Sequence, residues 1–250
     1  MKTVNRRFLR LVAALLTAAT LTASCQFIET LLASLDGEAQ PVAVHFIDDA
    51  MHYGDHVYTQ RGAIELPVPG VHLVTPTAWV SFTHVPADYQ EFEAVYTQYL
   101  GKTPHGAAGM MPMAIELYAR DAEEGTRCLE LLCGDNAASV IRILKTKFVA
   151  SAYSPDNDSY LQRYLPAATL KGAKAENGYT PDRPYTVQMC TSANLPQEPW
   201  LFLYILAEGW DSTQRQVTVK LEEDGRYRVS NCPSLYTQCK NIRGSWGGLD

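Results

Sequence analysis

Histidines and aspartates are concentrated in one short stretch, at His45, Asp48, Asp49, His52, Asp55 and His56. Imidazole nitrogens and carboxylate oxygens bind divalent metals, and two histidines with one carboxylate can form a site. His52 and His56 are four residues apart and would share one face of a helix. Tyr53-Gly54-Asp55 is typical of a turn instead, and the protease pattern His-Glu-x-x-His is absent. A metal site and an exposed polar turn both stay open for this cluster, and the turn is favoured.

Other catalytic patterns are missing from the sequence. There is no Gly-x-Ser-x-Gly elbow and no glycine-rich phosphate loop. The carboxylate pairs Glu123-Glu124 and Glu222-Glu223 fall where a helix cap and a hairpin turn are predicted, which are ordinary solvated positions. We therefore predict a non-catalytic binding or structural protein without a cofactor. The alternative is an extracytoplasmic, metal-dependent enzyme that uses residues 45–56.

The first 25 residues have the pattern of an export signal. A basic segment over residues 2–10 precedes the apolar stretch Leu11–Ala23, which is too short for a bilayer span of about 20 residues. Small residues then precede a cysteine in Leu21–Cys25, and this segment resembles the bacterial lipoprotein box. We predict a signal peptide over residues 1–24 and lipid attachment at Cys25.

The box is imperfect, because Thr22 stands where a branched aliphatic residue is commonest. An ordinary secreted protein is the alternative. Gln26 follows the cysteine where an aspartate would, by resemblance to enteric sorting rules, retain the protein at the inner membrane. These features predict a bacterial cell-envelope protein that is lipid-anchored, with the outer membrane favoured.

Charge restricts the class of partner. The chain has 21 basic and 27 acidic residues and a net charge of −6. Four of the bases lie in the signal, which has no acid, so its removal leaves 17 bases against 27 acids. This balance argues against a nucleic-acid partner. The expected partners are the membrane, through the anchor, and an unidentified protein or small molecule.

Hydrophobic periodicity predicts an α+β protein in which residues 25–40 are a tether and residues 41–240 form a single domain. Its first part is β-rich, with short runs separated by Gly and Pro at 42–46, 57–59, 64–66, 71–74 and 79–82. Residues 86–165 follow the helical period and predict about four helices. Residues 184–230 predict an antiparallel β-meander with a hairpin at Asp224-Gly225, and residues 241–250 a flexible tail.

Local signals place the helix ends. Pro86 suits the first helical position, and Thr103-Pro104 and Asp121 suit the starts of the next two helices. Asn136 can cap the helix after that.

One segment is distinctive: Gly172-Ala-x-x-Glu176-Asn177-x-Tyr179, which follows the helical region and precedes the meander. With Thr103–Ala108 and the strand segments around 215–229, it resembles a bacterial family of exported domains of unknown function. The resemblance covers about residues 78–240 and implies helices followed by a meander, with no characterised activity. Glu176, Asn177 and Tyr179 are candidates for a binding loop. A turn shaped by Gly172, Gly178 and Asn177 is favoured.

Besides Cys25 the chain has five cysteines, Cys128, Cys133, Cys190, Cys232 and Cys239. Cys128 and Cys133 are five apart on a predicted helix, a rise of ~7.5 Å. Because a disulfide fails beyond about 7 Å between Cα atoms, these two should not bond. Cys190 could pair with Cys232 or Cys239, and at least one thiol, expected at Cys128, stays free.

Overall fold

The computed structural model describes residues 49–62, 76–148, 165–191, 200–237, 239–240 and 242. By its internal contacts the chain divides after residue 40, and the described residues all belong to the second unit, 41–250. Several predictions lie outside the described residues: the signal, Cys25, the tether, the strand runs at 42–46, 64–66 and 71–74, the candidate ligands His45 and Asp48, and most of the tail.

Seven strands form one antiparallel sheet in the described part of the chain. They are β1 (Asp49–Tyr53), β2 (His56–Gly62), β3 (Ala78–Phe82), β4 (Tyr185–Thr191), β5 (Trp200–Leu206), β6 (Gln214–Leu221) and β7 (Tyr227–Asn231). Their order in the sheet is their order in the chain. The N-terminal strands and the C-terminal meander are thus parts of one sheet, because β3 pairs directly with β4.

The helices lie in the chain between β3 and β4. They are α1 (Tyr89–Gln98), α2 (Pro104–Arg120), α3 (Ala122–Cys133), α4 (Ala137–Lys147) and the single turn α5 (Leu165–Ala168). The predicted α+β class and the cluster of about four helices are confirmed. Among the described residues, no helix combines the length and apolar character needed to cross a membrane.

Two of the predicted helix caps are confirmed. The Thr103 hydroxyl accepts a hydrogen bond from the Gly106 amide at 3.0 Å, and Asp121 accepts from the Glu123 and Glu124 amides. These bonds satisfy amides that have no partner within the helix.

One other predicted helix start is wrong, and one predicted side-chain cap does not form. α1 begins after Asp88, whose carboxylate accepts from the Glu91 amide at 2.9 Å, and not at Pro86. Asn136 makes no side-chain cap, because a 3₁₀ turn over Gly134–Asn136 already has helical backbone and leads directly into α4. A residue with helical dihedral angles cannot adopt the extended backbone that a cap requires.

The helices pack on one face of the sheet, with α2 in contact with β3, β5, β6 and β7. Side chains alternate between the faces of a strand. In β2 and β3, Tyr58, Val80 and Phe82 point into the core and are at most 1% exposed. Thr59, Arg61, Trp79 and Ser81 therefore point to the opposite face, which we call the open face.

Candidate ligand-binding site

A polar cavity of about 450 Å³ lies on the open face. Its lining comes from β1–β4 and from the segment before β4, namely Ala50, Thr59, Gln60, Arg61, Trp79, Ser81, Lys171, Thr186 and Gln188. β2 and β3 are hydrogen-bonded to neighbouring strands along both edges, whereas β1 is at the edge of the sheet and β4 pairs with β5 only from Gln188 onward. The floor of the cavity is therefore a rigid surface.

Strand register arranges the floor as two rows of side chains. Thr59 pairs with Ser81 and Ser81 with Thr186, which makes a row of hydroxyl groups across β2, β3 and β4. The second row is Arg61, Trp79 and Gln188. Because directly opposed residues have Cβ atoms about 5 Å apart, each row is a line of adjacent groups.

Hydrogen bonds fix the hydroxyl row and the side wall of the cavity. The Ser81 and Thr186 hydroxyls are 2.9 Å apart and bonded. Beyond the end of β5, the Lys171 amide donates to the Thr186 carbonyl at 2.8 Å. This bond holds Lys171 beside β4, so that its side chain borders the floor.

Two basic side chains and no acidic one line the cavity. The Arg61 guanidinium lies 5.7 Å from the centroid of the Trp79 ring, within the range of a cation–π interaction. The Lys171 ammonium is 3.5 Å from the Asp182 carboxylate, with both side chains more than half exposed. Such an exposed pair contributes little and leaves the cation available. The cavity can therefore bind a ligand by stacking, hydrogen bonding and charge.

A second polar cluster lies on the helical side of the sheet, where β2 meets α1. The Glu91 carboxylate is 2% exposed and accepts from His56 Nδ1 at 2.5 Å and from the Tyr58 hydroxyl at 2.7 Å. Its other oxygen accepts from the Ala87 amide at 2.7 Å. The His84 ring stacks on His56 with centroids 4.5 Å apart.

These bonds define the proton arrangement of the cluster. Burial raises the pKa of Tyr58, and the hydrogen bond to Glu91 raises that pKa further, so the hydroxyl remains a donor. Since the carboxylate can only accept, His56 Nδ1 carries a proton and Nε2 is the nitrogen that faces away from Glu91. The pair thus orients an imidazole as carboxylate–histidine pairs do in acid–base sites.

The predicted metal cluster is divided by the β1–β2 hairpin. His52 pairs with Val57 and Tyr53 with His56, so His52 and His56 lie on opposite faces of the strands and not on one helical face. Asp55 is exposed in the turn, and His56 is hydrogen-bonded to Glu91. Within the described ranges, no group of three His, Cys, Asp or Glu residues is arranged to hold a metal ion.

The distinctive segment around Asn177 forms a tight turn. The Asn177 side chain accepts from the Lys174 and Thr180 amides and donates to two carbonyls. Gly172 and Gly178 have φ of 78° and 65°, as predicted. Tyr179 is 3% exposed and its hydroxyl bonds the Lys240 carbonyl, whereas Glu176 is exposed.

All five described cysteines are buried, and none of them forms a disulfide. The bridge considered between Cys190 and Cys232 is therefore wrong. Cys190 is on β4 and Cys232 follows β7, and three strand spacings amount to about 14 Å, twice the Cα separation that a disulfide allows. Cys239 is also a thiol, and the predicted free state of Cys128 is confirmed.

Sequence reasoning missed the cavity residues Arg61, Trp79, Lys171 and Gln188, and also Glu91. A signal for part of the cavity was present, because Trp79-Val80-Ser81 and Thr186-Val187-Gln188 each place an apolar residue between two residues that can contact a ligand. The pairing that unites them was not visible locally. Glu91 resembles an ordinary helix residue in sequence, and its partner His56 is 35 residues away.

The model of one protein family matches residues 84–243, well over half of the chain. No curated protein and no solved structure matches significantly. The match confirms the resemblance inferred from the sequence. It includes Lys171, Thr186 and Gln188 but begins after β3, so that Arg61 and Trp79 lie outside it. The chain belongs to this family, which is described as a domain of unknown function, DUF6935.

Proposed function

We propose that this protein is a cell-envelope lipoprotein whose α+β domain binds a saccharide without transforming it. The observation that carries the proposal is the cavity on the open face, where the Trp79 ring lies beside a row of hydroxyl and amide groups. Sugar rings have an apolar C–H face that packs on an indole, and hydroxyl groups that both donate and accept hydrogen bonds. Side chains of Thr59, Ser81 and Gln188 match those needs.

Binding of oligosaccharides to the full-length, detergent-solubilised protein tests this proposal. The probes are cellohexaose, xylohexaose, mannohexaose and oligogalacturonate, measured by isothermal titration calorimetry. We expect at least one to bind, and Trp79→Ala to weaken that binding at least tenfold because the stacking surface is lost. Tyr53→Ala, which removes an exposed aromatic ring outside the cavity, should bind as the natural protein does. Absence of binding to all four probes, or unchanged binding by Trp79→Ala, would contradict the proposal.

The envelope location is supported by the basic and apolar segments at 2–23 and by the small residues before Cys25. Acyl chains add about 0.8 kcal/mol of membrane affinity per buried methylene. We expect mass spectrometry of the mature N-terminus to find acylated Cys25, and Cys25→Ser to move the protein from the membrane fraction. An unmodified Cys25 thiol in the mature protein would refute the anchor but not the saccharide site.

Catalysis is a second candidate, favoured by the oriented His56–Glu91 pair. General acid–base catalysis contributes ~10²–10⁴ to a rate. If this pair is catalytic, His56→Gln should lower hydrolysis of nitrophenyl esters and glycosides at least 100-fold. His52→Gln, on the opposite face of the hairpin, should not. Equal rates for the two variants would exclude this role.

A further inference from the structure

We infer that the cavity on the open face takes an acidic saccharide, with its sugar ring on Trp79 and its negative group between Arg61 and Lys171. The inference rests on the saccharide-binding function proposed above and specifies its ligand class. It depends on where the charges of the lining lie.

The two cations flank the floor from opposite sides. Arg61 is on β2, and Lys171 lies along the free edge of β4, next to Thr186. Their backbones are therefore about three strand spacings apart, or ~14 Å. Both side chains are long enough to reach inward over the rows between them. A ligand of one to three sugar rings fits between these cations and covers the hydroxyl row.

The local charge is opposite to that of the whole chain. The chain has a net charge of −6, but the cavity lining holds two bases and no acid, and the Asp182 carboxylate that pairs with Lys171 is an exposed group outside this lining. Within the described residues the Arg61 guanidinium forms no ion pair, and Trp79 is the neighbour that holds it. The two bases attract anions to the cavity, whereas the acidic remainder of the protein repels them, so anionic ligands concentrate here. The planar fork of an arginine suits a carboxylate, which it can bind through two parallel hydrogen bonds.

A matched pair of ligands isolates the contribution of the ligand's negative charge to binding. Trigalacturonic acid and its fully methyl-esterified form have the same rings and hydroxyl groups and differ in the three carboxylates. We expect the acid to bind the full-length protein at least tenfold more tightly than the ester at low salt, with the difference shrinking as salt is added. The double variant Arg61→Gln/Lys171→Gln should bind acid and ester equally, and at the affinity of the natural protein for the ester. Arg226→Gln, in the β6–β7 turn, is the control and should retain the preference.

The outcomes separate the two proposals. Equal binding of acid and ester by the natural protein would overturn the acidic specificity and leave saccharide binding intact. Binding of neither, together with no binding of the other oligosaccharides, would overturn both. A sulfated trisaccharide that binds tenfold more tightly than trigalacturonic acid would overturn the carboxylate as the recognised group. Equal binding of hexaglutamate would overturn the contribution of the sugar ring.

Discussion

His105 is a buried imidazole in the first turn of α2. It is 3% exposed, and neither ring nitrogen has a hydrogen-bond partner among the described residues. Burial lowers the pKa of His105 to about 4. The positive end of the helix dipole also disfavours a cation at this position. The folded protein therefore keeps this imidazole neutral at pH values where an exposed histidine would be charged.

This residue makes stability depend on pH. Between about pH 6.5, the usual histidine value, and about pH 4, the unfolded chain binds a proton that the folded protein does not. The contribution of neutral His105 is thus complete above pH 6.5 and is lost as the pH falls to 4, by up to about 3 kcal/mol. We expect urea unfolding at pH 7 and pH 4.5 to show this loss, and His105→Leu to lose less stability over the same interval.

The comparison of the natural protein with His105→Leu needs a control variant and must allow for one opposing effect. His52→Gln removes an exposed histidine and should retain the full pH dependence. Burial raises the pKa of Glu116, which favours the folded state at low pH and opposes the effect of His105, so the difference between variants is the informative quantity. A His105→Leu protein with the same loss as the natural one would refute the assignment.

At single residues, sequence identifies chemical types better than it identifies partners. The density of His and Asp near His52 was visible, but the hydrogen bond from His56 to Glu91 was not. Burial of His105 could be anticipated, since it lies at the start of a helix that is apolar nearly all round. The absence of hydrogen-bond partners for the two ring nitrogens of His105 could not be anticipated, because it depends on which side chains pack against α2.

Among the elements, α2 is held against its neighbours by two glycines. A Cβ on Gly109 would lie 2.7 Å from the Val80 side chain of β3. A Cβ on Gly125 of α3 would lie 2.1 Å from the Tyr118 Cα of α2. Both distances are far below van der Waals contact. The close approach of α2 to the sheet and of α3 to α2 therefore requires these residues to lack a side chain.

We expect alanine at these two positions to destabilise the protein in a definite order. Gly109→Ala meets a side chain that can shift, so we expect a cost of about 1–3 kcal/mol in urea unfolding. Gly125→Ala meets backbone and should cost more. Ala119→Ser, at an exposed position near the end of α2, should change stability by less than about 0.5 kcal/mol. The idea fails if Gly109→Ala is as stable as the natural protein.

Helix starts were predictable where a side chain caps an extended residue, as at Thr103 and Asp121. At Asn136 the position of the start was predictable but the missing side-chain cap was not, because the 3₁₀ turn already gives this residue a helical backbone. The hairpin at Asp224-Gly225 was also predictable, and the Glu222 amide bonds the Arg226 carbonyl across it. Local signals succeed when the chemistry that decides the structure lies within a few residues.

Across the whole molecule, the described cysteines are all buried and all have a raised thiol pKa. Burial raises the pKa of the Cys128 and Cys232 thiols to about 12 and that of Cys190 to about 11. The same cause raises the pKa of Cys133 and Cys239. Since the thiolate is the reactive form, all five should be inert in the folded protein.

Thiol alkylation tests whether the five cysteines are unreactive in the folded protein. Iodoacetamide should modify none of the five in the native protein and all five in urea, as counted by intact mass. The urea midpoint should not change when a reductant is added, because no bridge restrains the unfolded chain. A native mass lower by two hydrogen atoms, or a reductant-sensitive midpoint, would show that a disulfide forms.

The union of the two β regions into one sheet was not predictable from local pattern. Each region shows strands by itself, but their junction is the β3–β4 pair, whose Ser81 and Thr186 side chains are 105 residues apart in sequence. Alternation of polar and apolar residues predicts the two faces of a strand, but it does not identify the strand, distant in sequence, with which that strand pairs. The candidate cavity spans that junction, and for this reason it was not predicted.

The β3–β4 junction also has a kinetic consequence. Strands β1–β3 and β4–β7 can each form from nearby segments, but their junction requires closure of a loop of about a hundred residues, which carries a larger entropic cost. Contacts between distant segments slow folding. In pulse-labelled hydrogen exchange, the amides between β3 and β4 should gain protection together with those of α2 and after the β6–β7 hairpin. The cavity would then exist only once this junction has closed, so a nascent chain could not bind its ligand before β4 is synthesised.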